Sequence, residues 1–229
     1  LTAADILQAK QKGKLAILLG VEGGKLLEGK IETLRQFHKA GLRELQLTWA
    51  VPNQLVEQEE LTDFGQAVVK ECHRLGILVD LTHIPERAFF QAIERAEKPP
   101  IISHETGASL GDRRLEAVAS RGGVVGVHFY TSYLGPQPTV TQLMEAIDFI
   151  VQRVGVETVG LGVDFFPTEG KWRDFQVAQG TMDLAWAIPD LSGMEAVTRG
   201  LVAQNYTEAQ IEGILSGNFL RVCRQVFGS

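Results

Sequence analysis

The chain has 229 residues and a mass of 25.1 kDa, with 45% hydrophobic and 22% charged residues, a balance that supports a buried core and excludes wholesale disorder. Its 22 basic and 28 acidic side chains leave a net charge of −6, and the basic residues are scattered, which argues against nucleic acid or an anionic membrane surface as partner. The longest apolar runs are strand-length, so no transmembrane segment is expected, and only two cysteines occur, Cys72 and Cys223, too few for a disulfide framework.

Both cysteines fall inside helical patterns and read as buried, reduced thiols; a cytoplasmic location is the expectation. The first residue is Leu1, not methionine, and it lies in mid-pattern. A preceding segment, with any targeting signal it carries, is therefore expected.

Along the chain, short apolar runs alternate with longer amphipathic ones. Strands are expected at 15–21, 42–48, 77–82, 100–103, 124–129 and 158–163. Each is continuously apolar rather than alternating, as in a parallel sheet covered on both faces. Helices are expected at 28–40, 61–75, 86–97, 113–121, 139–154, 193–204 and 207–227. In the second of these, Leu61, Phe64, Val68, Cys72 and Leu75 share one stripe and Gly76 stops the helix. The last opens with Thr207-Glu-Ala-Gln210, a capping box.

These elements form six βα units without a linker or a break in composition, so residues 1–229 read as one α/β domain. The glycines at 20, 23 and 24 have the wrong spacing for a dinucleotide fingerprint. The fold expected is a TIM (β/α)8-type barrel, with its first two βα units ahead of Leu1. Six strands alone would leave two sheet edges open, so these residues are not expected to close as a monomer by themselves.

Several strands end in a residue able to bind a metal or move a proton: Glu22, His83, His104 and Asp164. In a barrel the C-terminal strand ends share one face, so the four side chains would converge there. Two imidazoles and two carboxylates suit Zn²⁺ or a similar ion. Each has a plainer reading as well, Glu22 as a turn residue before two glycines and Asp164 as a loop cap. His38 and His73 read as surface residues of helices. His128 has two orientations open to it, the barrel interior or the site.

Six stretches then carry a resemblance: Leu-Gly-Val-Glu-Gly-Gly at 19–24, Leu-Gly-Ile-Leu-Val-Asp-Leu-Thr-His at 75–83, Pro-Ile-Ile-Ser-His-Glu at 100–105, Gly-Gly-Val-Val-Gly-Val-His-Phe-Tyr at 122–130, Gly-Leu-Gly-Val-Asp-Phe at 160–165 and Gly-Asn-Phe-Leu-Arg-Val at 217–222. In this order they resemble the membrane (renal-type) dipeptidase family of metallopeptidases, amidohydrolase-like barrels, over nearly the whole chain. The resemblance implies two zinc ions bridged by a glutamate and a hydroxide that attacks the amide of a dipeptide or similar small substrate. Glu22 matches the bridging carboxylate, His83 and His104 match the pair on the second zinc, and Asp164 matches the aspartate that orients and deprotonates the water. Tyr133 falls in the substrate-facing loop. Family members are often dimers, so a homodimer is the expected assembly.

The chain also departs from that pattern. The family's His-x-Asp pair for the first zinc is absent and is expected ahead of Leu1; two ions are expected only where it exists. Trp49, in Leu47-Thr48-Trp49-Ala50, stands where the family has a histidine that stabilises the tetrahedral intermediate, with Asn53 nearby as a partial substitute. The arginine that grips the substrate carboxylate has no clear equivalent, since Arg113 and Arg114 read as helix-start residues. A zinc-dependent dipeptidase is therefore expected first. The alternatives are a catalytically degenerate barrel homologue with a binding role and a metal-dependent hydrolase of another amide.

Overall fold

The computed structural model describes residues 2–49, 51–166 and 185–227, together with 169–171, 174 and 178. Among these, eight strands are present: β1 (Leu19–Glu22), β2 (Leu42–Gln46), β3 (Val56–Glu57), β4 (Glu60–Leu61), β5 (Leu78–Asp80), β6 (Ile101–Glu105), β7 (Val124–His128) and β8 (Val159–Gly162). The β3–β4 pair is a separate antiparallel hairpin. The other six are the six expected strands and form one sheet in the order β1-β2-β5-β6-β7-β8. The pairs β1–β2, β2–β5, β5–β6 and β7–β8 are parallel. Each strand lies beside its predecessor in sequence and the order never reverses. Such single winding is that of a barrel wall, whereas a doubly wound sheet reverses at a switch point.

Continuous apolar character has the expected cause, since every residue of β5 and β7 is buried. The first run is the exception. Leu15 and Ile17 are 84% and 69% exposed and lie outside β1, and Leu19 within it is 53% exposed. Among the described residues β1 pairs only with β2, so backbone pairing sets in at Leu19, where the partner strand begins at Leu42.

The helices Ile31–Ala40, Asp63–Leu75, Glu86–Glu94, Asp112–Ser120, Val140–Val154 and Met194–Ala203 match the expected ones to within three residues at each end. Their limits follow local chemistry. The hydroxyl of Thr62 accepts a bond from Gly65 N, and Thr139 and Gln142 form a reciprocal capping box. The expected helix 207–227 is instead Glu208–Glu212, a π-turn at Gly213–Gly217 and Asn218–Phe227. Gly213 and Gly217, both weak helix formers, bracket the break. The N-terminal helix Ala3–Gln11, capped by Thr2, was not anticipated.

Contacts gather into two compact units, residues 1–103, 116–124 and 217–229, and residues 104–115 and 125–216. In the first, Ala3, Leu78, Ile101, Val124, Val222, Cys223 and Val226 form a buried cluster. Cys72 and Cys223 are both free and buried, as expected, and burial raises both thiol pKa values, that of Cys223 to about 11. In the second, Phe129, Leu143, Ile147, Ile150, Val159, Val197 and Leu201 are fully buried. His73 corrects the surface reading. It is 5% exposed, and its Nδ1 accepts the amide of Glu97 at 3.4 Å, because the buried face of its helix includes position 73 beside Cys72.

Candidate active site

β1 ends on Glu22, in register with Gln46 of β2. Pairing runs on past the strand, since Gly23 N donates to Gln46 O and Gly24 N to Leu47 O, both at 3.1 Å. Gly23 has φ +89°, and a Cβ there would come within 3.2 Å of the Trp49 Cβ. Glycine is therefore required on both counts, and Trp49 packs against the turn that follows Glu22. Asn53 is committed to its own loop. Its amide nitrogen donates to Leu47 O at 2.9 Å and its Oδ1 accepts Leu55 N at 2.8 Å.

His83 lies just beyond β5, and its Nε2 is 3.8 Å from Glu22 Oε1. The first unit thus brings a carboxylate and an imidazole together from the ends of β1 and β5, the strands on either side of β2. His83 holds a left-handed backbone, φ +61°, which disfavours any residue bearing a Cβ by about 1–2 kcal/mol. Replacing His83 by glycine should therefore give a protein about 1 kcal/mol more stable than replacing it by alanine. Denaturant unfolding in the presence of a chelator measures this; equal midpoints would show that the conformation carries no strain.

Glu44 of β2 points toward the same region. Burial, the charge and hydrogen bond of Asp80 and the charge of Glu22 raise its pKa to about 8, with the Cys223 thiol nearby on the C-terminal helix. Its ordinary value is 4.5, so between these limits the folded chain holds a proton that the unfolded chain has released. This contribution to stability is complete below about pH 4.5 and is lost as pH rises through 8. A Glu44→Gln variant should lack it. The stability difference between wild type and variant in urea should shrink between pH 5 and 8, by on the order of 1 kcal/mol per pH unit.

In the second unit, buried His104 on β6 meets His128, the last residue of β7, edge to face with ring centroids 5.5 Å apart. His128 is 1% exposed. Its Nδ1 accepts the amide of Tyr130 at 3.0 Å, which leaves the proton on Nε2, 3.3 Å from Asp164 Oδ2. Burial keeps this imidazole neutral below its ordinary pKa, against the opposing pull of Asp164. Of the two orientations left open for His128, the structure has the one facing Asp164. Because β7 ends on His128, the strand-end criterion that singled out His104 could have found it.

Asp164 follows β8 with φ +46°, also left-handed, and its carbonyl accepts Trp186 Nε1 at 3.2 Å. Beside it, Phe165, Phe166, Trp186, Pro189 and Leu191 line much of a cavity of about 470 Å³. Tyr133 stacks on His128, with centroids 4.3 Å apart and planes 18° from parallel. Left-handed backbone at non-glycine residues concentrates at working sites, and two of the four strand-end candidates have it.

Residues 1–227 match the family model described as membrane dipeptidase, peptidase family M19. The chain belongs to the membrane dipeptidase family. It is similar to mouse Dipeptidase 3, with 30% identity across 98% of this chain and 47% of that protein. An uncharacterized dipeptidase of Schizosaccharomyces pombe is also 30% identical, across 94% of this chain and 54% of that one. The chain thus spans about half the length of the curated relatives it matches. An amidohydrolase from Pseudomonas aeruginosa superposes with a TM-score of 0.91 at 26% identity, covering all of this chain and 78% of that one. A metallopeptidase from Rhodobacter sphaeroides, solved with a phosphinate mimic of L-Ala-D-Ala, shares the fold at 24% identity with a TM-score of 0.86, covering 98% and 67%. The α/β barrel-type fold and the dipeptidase family expected from the sequence are therefore those of this chain. Among the described residues no helix is long and apolar enough to cross a membrane.

Proposed function

We propose that the protein hydrolyses dipeptides with zinc, that Glu22, His83 and His104 hold the metal, and that Asp164 moves the proton. The observation that carries this reading is the approach of His83 to Glu22 across the strand between them, in a chain of a metallopeptidase family. His104 is taken as the third ligand because it matches the family's metal-binding histidine. One carboxylate and two imidazoles fit the coordination chemistry of zinc better than that of magnesium or calcium. A second ion, which the family resemblance implies, would need ligands besides these three.

Bound zinc supplies a Lewis acid for the scissile carbonyl and lowers the pKa of water. The protein does the rest. His128 donates from Nε2 to one oxygen of Asp164, leaving the other to take the proton of the attacking water and return it to the leaving amine. Both nitrogens of His128 are committed and burial lowers its pKa, so in this reading it orients Asp164 as a neutral imidazole. Trp49 and Tyr133 are assigned to substrate contact, while Asn53 holds the Trp49 loop. The aromatic cavity beside Asp164 favours a substrate with an apolar side chain.

Zinc content of the intact protein after extensive dialysis, measured with hydrolysis of a dipeptide panel, tests this. Two equivalents of zinc, and hydrolysis abolished by a chelator and restored by zinc, would support it. The absence of the histidine at position 49 favours a second reading, a binding protein of the same fold. That reading predicts one equivalent or none and no hydrolysis.

A further inference from the structure

We propose that Asp80 is a positioning residue for this metal centre and that it acts through Thr82 and Ser103 on the two histidines that follow them, His83 and His104. The inference rests on the metal reading above.

Asp80 is 0% exposed, and a buried carboxyl group is costly unless its oxygens are satisfied. Here four donors converge on it. Oδ1 accepts Thr82 N at 3.0 Å, Thr82 Oγ1 at 2.7 Å and Ser103 N at 3.1 Å. Oδ2 accepts Ser103 Oγ at 2.5 Å. The two hydroxyls are themselves 3.2 Å apart, and Ser103 N also reaches Thr82 Oγ1 at 2.9 Å.

The place of this network gives it meaning. The regular β5–β6 pairing has Asp80 opposite Ile101, followed by a bond from Leu81 N to Ile101 O. One step further on, Ser103 N turns to the Asp80 carboxylate and the Thr82 hydroxyl. Spacing of the two strand ends there is set by one side chain, immediately before His83 and His104. His83 leaves the network in a left-handed conformation, so its direction depends on how firmly Thr82 is held. Glu44 adds a hydrogen bond to Asp80 from β2. Groups that orient metal ligands in this way typically change metal affinity by about 10–100-fold when removed.

The test is zinc affinity of the intact, metal-stripped protein, titrated against a chromophoric chelator and paired with melting of the metal-free form. Asp80→Ala should weaken zinc binding about 10–100-fold. Asp80→Asn keeps an acceptor for the two backbone amides and should recover most of the affinity. A Thr82→Val, Ser103→Ala double variant, with Asp80 intact, should also bind zinc more weakly. Tight zinc binding by wild type, equalled by both Asp80→Ala and the double variant, overturns the proposal and leaves the metal reading standing. A lower melting temperature with unchanged zinc affinity overturns it too, since that is what a purely structural residue gives. If Asp80→Ala does not fold, the double variant decides alone, weaker binding supporting the proposal and unchanged binding overturning it. Failure of wild type to bind zinc removes both this proposal and the metal reading.

Discussion

Exchange of Asp164 for asparagine is expected to lower kcat for dipeptide hydrolysis on the order of 10²- to 10⁴-fold, the usual contribution of a positioned general base. KM and zinc content should change little. Asparagine is the informative replacement for two reasons. Its oxygen can still accept the Nε2 proton of His128, which now lies 3.3 Å from Asp164, so the local geometry has a reason to persist. It also tolerates the left-handed φ of +46° that position 164 adopts, as aspartate does and alanine does not. What asparagine lacks is the ability to take a proton at neutral pH. A loss of threefold or less would remove Asp164 from the role of base.

The second large effect is expected at Glu22. Its replacement by alanine should release the metal and reduce hydrolysis by about 10³-fold or more, since metal catalysis supplies several kcal/mol and each 1.36 kcal/mol is tenfold in rate. The fold should survive. The Glu22 side chain is 45% exposed, and the turn that follows is held by the amides of Gly23 and Gly24 rather than by the carboxylate. Unfolding of the metal-free protein should shift by no more than about 0.5 kcal/mol. Loss of zinc with an unchanged metal-free unfolding curve would assign Glu22 to the metal. Full activity in this variant would contradict the proposed chemistry outright.

The sheet was legible in the sequence because a strand such as β7, buried throughout, is apolar up to its last residue. The same rule misled at 15–18, where apolar residues remain exposed beside a strand with one described neighbour. The hairpin of β3 and β4 left no trace, since two-residue strands have no period to read. Glu22 and His83 could be named from position alone, as two of four strand-end candidates. The partnership of His128 with Asp164 could not, because it depends on which imidazole nitrogen a backbone amide occupies. The network around Asp80 was hidden for a related reason. Thr82 and Ser103 are unremarkable residues until the register of β5 against β6 places their hydroxyls on one carboxylate.

On the proposed chemistry His83 and Asp164 are each constrained twice, by reactivity and by a backbone twist that few side chains accept. A library randomised at either position will be thinned before any assay is run. Valine, isoleucine and threonine fare worst, and glycine, asparagine, aspartate and histidine survive best. Single-step routes to new chemistry at these two positions are correspondingly few. Retargeting the protein is better begun at neighbours with ordinary backbone, such as those lining the aromatic cavity, where sequence space stays open.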